Sequence, residues 1–311
     1  MLHTHRVSAE PFTKMYTLQE FTSGKSWSPV KRENPCYFES QGAMKPESEG
    51  GETKVLKIST PERPFIAKDY PIGSPRDPFE KSLIESDIND RFYHLSYPFQ
   101  ASASVCGPAV FFYCLQNDRP DVYAQAAHEL WKYGKTKIGE LEISPGDGCR
   151  HPAGHFYGDI SGLDWMTLAG LRDSENAIFS FDALDSPVAG ITMWQMLTTW
   201  FEKAGYERAY SNVGLVQAGI KGIQDLNKYV EKGYKVVTLI NDGLLEGGRF
   251  SNLTVPTHWI VWDGPVTQSK DETVHLSLFS WGKVDDLIKP SKKLSFFINR
   301  FFGGMVFKPL K

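Results

Sequence analysis

The chain has 311 residues, 41% of them hydrophobic and 23% charged, with a formal net charge of −3. That is the composition of a globular protein long enough for one large domain, or one domain with an extension. It lacks the basic footprint that a nucleic-acid partner requires, and no apolar run nears the ~20 residues that span a bilayer.

The N-terminal stretch MLHTHRVSAEPFTKMY has no apolar core of signal-peptide type, so cytoplasmic synthesis without such a signal is expected. The four cysteines, Cys36, Cys106, Cys114 and Cys149, are scattered and form no Cys-x-x-Cys, which favours a reduced protein over a disulfide framework. Residues 1–90 are dominated by Pro, Gly, Ser, Lys and Glu, as in SGKSWSPVKRENP and PERPFIAKDYPIGSPRDPFE. They read as a loop-rich N-terminal extension with at most short strands such as TKVLKIS.

From residue 91 the pattern changes. CGPAVFFYCLQN and RPDVYAQAAHELWKYG predict two helices, the second with Pro120 near its start. GLDWMTLAGLRDSEN and ITMWQMLTTWFEKAG (191–205) predict two more, and Gly205 falls where a glycine ends a helix. IQDLNKYVEKG (223–233) is a short amphipathic helix closed by glycine. The period then becomes that of strands: YKVVTLIN (234–241), HWIVWDG (258–264) and VHLSLFSW (274–281). LSFFINRF reads as a last helix and GMVFK as a last strand. Helices first and strands afterwards predict an α+β catalytic domain over residues 91–311, not an alternating parallel sheet.

Within FQASASVCGPAVFFYCL, the run before Cys106 is small and polar, and the run after it is helical. Cys106 therefore falls in the first turn of a helix, with Pro108 in that same turn, where proline is tolerated. Free N–H groups and the helix dipole there favour a thiolate, the nucleophilic form. Cys114, two turns on among Phe, Tyr and Leu, fits a buried packing residue. Gln100, six residues before Cys106, supplies an amide donor suited to a developing oxyanion.

A nucleophilic cysteine needs a base, usually a histidine distant in sequence. Of eight histidines, His258 stands apart because it opens an apolar β-run directly after NLTVP. A group orienting its ring is then sought. A hairpin whose turn centres on Ser269 sets His258 opposite Ser280, and directly opposed residues share a face. Asp263 lies five residues along the same strand and points to the other face. Asp242 and Asp285 reach the site only if loops bring them there.

Gln100, Cys106, His258 and FSWG (279–282) resemble the papain-like cysteine peptidase superfamily, in which a glutamine stands six residues before the cysteine and an Asn-Ser-Trp-Gly follows the histidine. The CGPA helix start is more similar to bacterial bacteriocin-leader-processing peptidases, whose late Phe-rich segment and Gly-led strand resemble SFFINRFFGGMVFK. The middle segment GLDWMTLAGLRDSEN is similar to bacterial proteins of this superfamily found among secretion-system effectors. The resemblance covers residues from about 95 to 311. It implies a papain-like fold, a helical half carrying the cysteine packed on an antiparallel sheet carrying the histidine. It further implies a protein or peptide substrate, no cofactor, and, for an exported toxin, a cognate inhibitor or immunity protein. One departure is clear: alignment on Ser-Trp-Gly puts Phe279 where papain-type enzymes have asparagine. The third catalytic member is therefore open between Ser280, a loop carboxylate, a backbone carbonyl and a bare Cys–His dyad.

CRHPAGH brings Cys149, His151 and His155 within seven residues, but no fourth ligand is near in sequence, so no metal is expected. The first functional reading is a cysteine hydrolase of peptide or isopeptide bonds. The same acyl-enzyme chemistry used for glutamine deamidation or acyl transfer is second. A papain-like binding module that has lost catalysis is third.

Overall fold

A computed structural model of the chain describes residues 63–153, 160–176, 192–249 and 254–311. All of them belong to one compact unit, Ser59–Lys311. The strand expected at TKVLKIS lies outside the described residues.

Described residues on both sides of the boundary expected after residue 90 share one core. Phe65 and Phe79 are fully buried, and their rings meet at 5.4 Å. Arg63 grips Asp77 through two hydrogen bonds of 2.7 and 3.0 Å. Helix α1, Lys81–Phe92, crosses the expected boundary and buries Ile84 and Ile88, which lie one turn apart on one face. Phe65 and Phe79 are too widely spaced to produce a period, and Ile84 and Ile88 give only a single helical step, yet all four join the main core.

The helices come first. Helix α2, Cys106–Asp118, is apolar all round and buried along nearly its whole length, as expected of a central helix. Helix α3, Pro120–Tyr133, starts on its proline and closes on Gly134, which has a φ of 69°. A hairpin of β1, Thr136–Ile138, and β2, Leu141–Ile143, follows. Helix α4 runs as Gly162–Asp164, then Trp165–Ala169 widened to π geometry, then Gly170–Asn176. Helix α5, Trp194–Lys203, ends just before Gly205, whose φ is 101°.

The strands follow: β3, Arg208–Ser211; then, after helix α6, Gly219–Val230, strand β4, Lys235–Ile240; then β5, His258–Trp262. Next come β6, Thr267–Gln268, β7, Val274–His275, β8, Ser277–Ser280, and β9, Lys283–Asp286. Helix α7, Leu294–Ile298, and β10, Phe301–Phe307, complete the chain. Six strands form an antiparallel sheet in the order β3-β10-β4-β5-β8-β9. The protein is thus mixed α+β. The last strand is longer than GMVFK: all seven residues of FFGGMVF are buried between β3 and β4, where an inserted strand must be apolar on both faces.

Strand alternation divides the core. Trp259, Val261, Phe279 and Phe302 pack with the helices of the N-terminal half, whereas Ile260, Trp262, Leu278 and Phe301 pack with Leu226 of α6 and Phe297 of α7. Tyr113 of α2 stacks on Phe279 of β8 at 3.9 Å with ring planes 4° apart. Such a pair contributes about 0.5–1.5 kcal/mol beyond its buried area and fixes α2 against the sheet.

Candidate active site

Cys106 is the first residue of α2 and is 5% exposed. The backbone N–H groups of Trp259, of Gly107 and of Cys106 itself lie near its sulfur, and the Arg172 guanidinium acts on it as a nearby positive charge. All four favour a thiolate. Burial is the larger influence and pushes the thiol above its ordinary pKa of 9.0. This corrects the expectation that the helix start alone would lower it: the N–H donors are present, but the sulfur is too far from water. Cys114 is fully buried, and burial pushes its thiol up to about 12.

The approach to α2 is held by a buried ion pair. Arg91 donates two hydrogen bonds to Asp164, of 3.0 and 2.9 Å, and a third to Ser96 Oγ at 2.6 Å. Asp164 also accepts the Phe99 N–H at 3.2 Å, and Gln116 Nε2 donates to the Arg91 and Ser96 carbonyls at 2.8 Å each. Both Asp164 oxygens and both Arg91 Nη groups are hydrogen-bonded, which offsets the cost of burying the pair, while the buried Arg91 Nε has no partner among the described residues. The pair sets the chain direction at Gln100, which is buried and turns one amide N–H onto Ala103 O at 3.1 Å. One amide hydrogen remains for another acceptor.

His258 opens β5 and is 4% exposed. Its Nε2 lies 2.8 Å from Ser280 Oγ. In the sheet Val261 faces Phe279 and Trp262 faces Leu278, a register two residues from the one a turn centred on Ser269 sets. A two-residue slip leaves every side chain on its own face, so Ser280 becomes the diagonal neighbour of His258 and still reaches it. Phe279 takes the opposite face, against Tyr113.

Trp281 stacks on the imidazole at 5.0 Å between centroids and 24° between planes. It forms, with Gly282, the two-residue loop joining β8 to β9, since Ser280 pairs with Lys283. Both loop residues have positive φ, 47° for Trp281 and 72° for Gly282, as a hairpin turn of this length requires. A bulky tryptophan in that region is strained, and the strain holds the indole over His258. Phe99 lies against Gly282, where an added Cβ would come within 3.1 Å of Phe99 Cβ.

Burial brings the His258 pKa down from 6.5 to about 4, against a smaller opposing pull from Asp242. The imidazole is therefore neutral near pH 7. Asp242 sits in a 3₁₀ turn, Asp242–Leu244, directly after β4, and accepts hydrogen bonds from Thr257 Oγ1 at 2.9 Å and from the Arg249 N–H at 2.9 Å. It is the loop carboxylate that approaches the ring. Asp263 instead accepts Ser277 Oγ at 3.1 Å, and Asp285 is exposed on β9.

Nucleophile and base candidates converge at Trp259. The Asp263 N–H points to Ser277 O of β8, and alternation aims the Trp259 N–H in the same direction, beyond the last residue of β8. Cys106 sulfur occupies that end of the strand, one residue from His258. Among the described residues the thiol's polar partners are these N–H groups and Arg172, and the imidazole is not one of them.

Thr192 ties the cluster together. Its carbonyl accepts the Trp259 indole N–H at 2.9 Å and its hydroxyl accepts Arg172 Nη1 at 2.7 Å. A Cβ at residue 107 would lie 2.3 Å from Thr192 Oγ1, so the glycine after Cys106 is required by this contact. Arg172, Thr192 and Trp281 were not singled out from sequence. Only the glycine of CGPA and the tryptophan of FSWG carried a trace of their arrangement. Cys149 is buried, His151 ends a short helix, and His155 lies outside the described residues. Compared with protein-family models, curated proteins and solved structures, the chain matches none at a significant level.

Proposed function

We propose that the chain is a papain-like thiol hydrolase acting on peptide or isopeptide bonds through an acyl-enzyme. The observation that carries this reading is the convergence at Trp259: its N–H meets the Cys106 sulfur, and the residue before it is a neutral imidazole held by Ser280. With Nε2–H donated to Ser280 Oγ, Nδ1 carries the lone pair and has no hydrogen-bond partner among the described residues. Nδ1 takes the thiol proton as Sγ attacks the carbonyl carbon, and the carbonyl electron pair moves to oxygen. The Cys106 N–H and the remaining Gln100 amide hydrogen stabilise that oxyanion. The imidazolium then protonates the leaving amine, and a water repeats the sequence on the thioester, releasing the acid and restoring the thiol. Ser280 orients the ring as a neutral partner, and Asp242 supplies the negative charge that favours the transient imidazolium.

The test is site-resolved alkylation followed by substrate mass spectrometry. Iodoacetamide is expected to label Cys106 well ahead of Cys114 near neutral pH, and Cys106→Ala is expected to abolish turnover. Equal, slow labelling of the two thiols would overturn the reading. An amide-to-acid mass change in an uncleaved substrate would replace hydrolysis of the chain by deamidation at the same site.

A further inference from the structure

We propose that Arg172, tethered by Thr192 over the first turn of α2, is the counter-cation of the Cys106 thiolate. The proposal deepens the hydrolase reading and rests on it for its functional meaning.

The geometry is specific. The Arg172 guanidinium is half-buried and donates Nη1 to Thr192 Oγ1 at 2.7 Å. Thr192, 1% exposed, lies against Gly107, directly after the nucleophile, and receives the indole N–H of Trp259, whose backbone N–H meets the sulfur. Helix α4, helix α2 and strand β5 thus meet at one threonine, which holds the cation beside the first turn of α2. The hydroxyl partner is neutral, and among the described residues no carboxylate pairs with Arg172.

The surrounding charges are directed elsewhere. On α4, Asp173 accepts the Gly146 N–H at 2.6 Å and Glu175 lies 3.8 Å from Lys203. On β5, His258 turns to Ser280 and Asp263 to Ser277. After β4, Asp242 is held by Thr257 and the Arg249 N–H. A half-buried guanidinium without an anion carries a desolvation cost, and burial does lower the Arg172 pKa while Cys106 opposes this. The charge that offsets the cost is the sulfur's when its proton leaves. In papain-type enzymes the histidine is expected to supply that cation as imidazolium. Here burial keeps His258 neutral, so the standing positive charge at sulfur is the guanidinium.

The experiment is the pH dependence of Cys106 alkylation by iodoacetamide in the full chain, read by peptide mass spectrometry, with Cys114 labelling as an internal report of unfolding. Arg172→Gln is expected to raise the pH midpoint and to slow labelling at pH 7.5 by about tenfold or more, since one pKa unit is a factor of ten in thiolate. Arg172→Lys is expected to recover most of the rate. Thr192→Val, which removes the tether and leaves the cation, is expected to shift the midpoint in the same direction by less. His258→Asn is expected to leave the midpoint near the wild-type value. The proposal is overturned by an unchanged midpoint in Arg172→Gln, or by His258→Asn carrying the shift instead. Should Arg172→Gln expose Cys114, the Lys and Val variants decide, and an unchanged midpoint in Thr192→Val is then the refuting result. An inert Cys106 in the wild-type chain would refute the hydrolase reading, whereas a reactive Cys106 indifferent to Arg172 refutes only the counter-cation.

Discussion

Acid should destabilise this fold through His258 by a calculable amount. The folded pKa of about 4 lies below the 6.5 of the unfolded chain, so between these values the unfolded state binds more protons. Stability therefore rises with pH across this window, is fully present above about 6.5, and is lost as pH falls towards 4. The whole gap corresponds to about 3 kcal/mol, and the span from pH 7 to pH 4.5 to about 2 kcal/mol. The perturbation is His258→Gln, which keeps a polar side chain opposite Ser280 and cannot titrate. Urea unfolding of both proteins at pH 7.0 and 4.5 gives four stabilities. Carboxylates elsewhere are common to both chains and cancel in the double difference. Wild type should lose about 2 kcal/mol more than the variant on acidification. Equal losses would refute the claim that a buried neutral imidazole sits at the start of β5.

Two further substitutions probe the geometry. Gly107→Ala places a methyl 2.3 Å from Thr192 Oγ1 and should destabilise by about 2 kcal/mol, with part of the loss recovered when Thr192→Gly is added; thermal melts of the single and double variants check this. Trp281→Gly relieves a left-handed tryptophan while removing the ring over His258, so stability should stay within about 1 kcal/mol of wild type and the His258 imidazole should titrate at a higher pH by NMR; an unmoved titration would show that the indole does not shield the ring.

How legible the site was from sequence follows from the range over which each rule acts. Cys106 at a helix start depends on local composition, and the structure has it there. The proximity of His258 and Ser280 depends on parity along two strands. Parity is robust to the two-residue error in the assumed turn, because an even slip keeps every side chain on its own face; the separate β6–β7 ladder, with Thr267 facing His275, is offset by two residues more. Arg172 and Thr192 could not be read in this way. Their relation to Cys106 comes from the packing of Thr192 against Gly107 and its hydrogen bond to Arg172, long-range contacts that no local period records. The burial of residues within the Pro- and Gly-rich N-terminal stretch is hidden for a related reason. Phe65, Phe79, Ile84 and Ile88 are spread over a Pro- and Gly-rich stretch, and only the folded core shows that each is buried.

Under the proposed hydrolase reading, the electrostatics also restrict how the reaction would begin. Burial raises the Cys106 thiol pKa and lowers that of the His258 imidazole, so both shifts disfavour a preformed thiolate–imidazolium pair. The neutral thiol and imidazole are therefore favoured at rest. Proton transfer and attack must instead be coupled, with the charge that leaves sulfur passing at once to the carbonyl oxygen. Under that condition the group acting longest on the negative charge is the one that needs no proton to become cationic. That group is Arg172, while His258, Ser280 and Asp242 govern only where the proton waits.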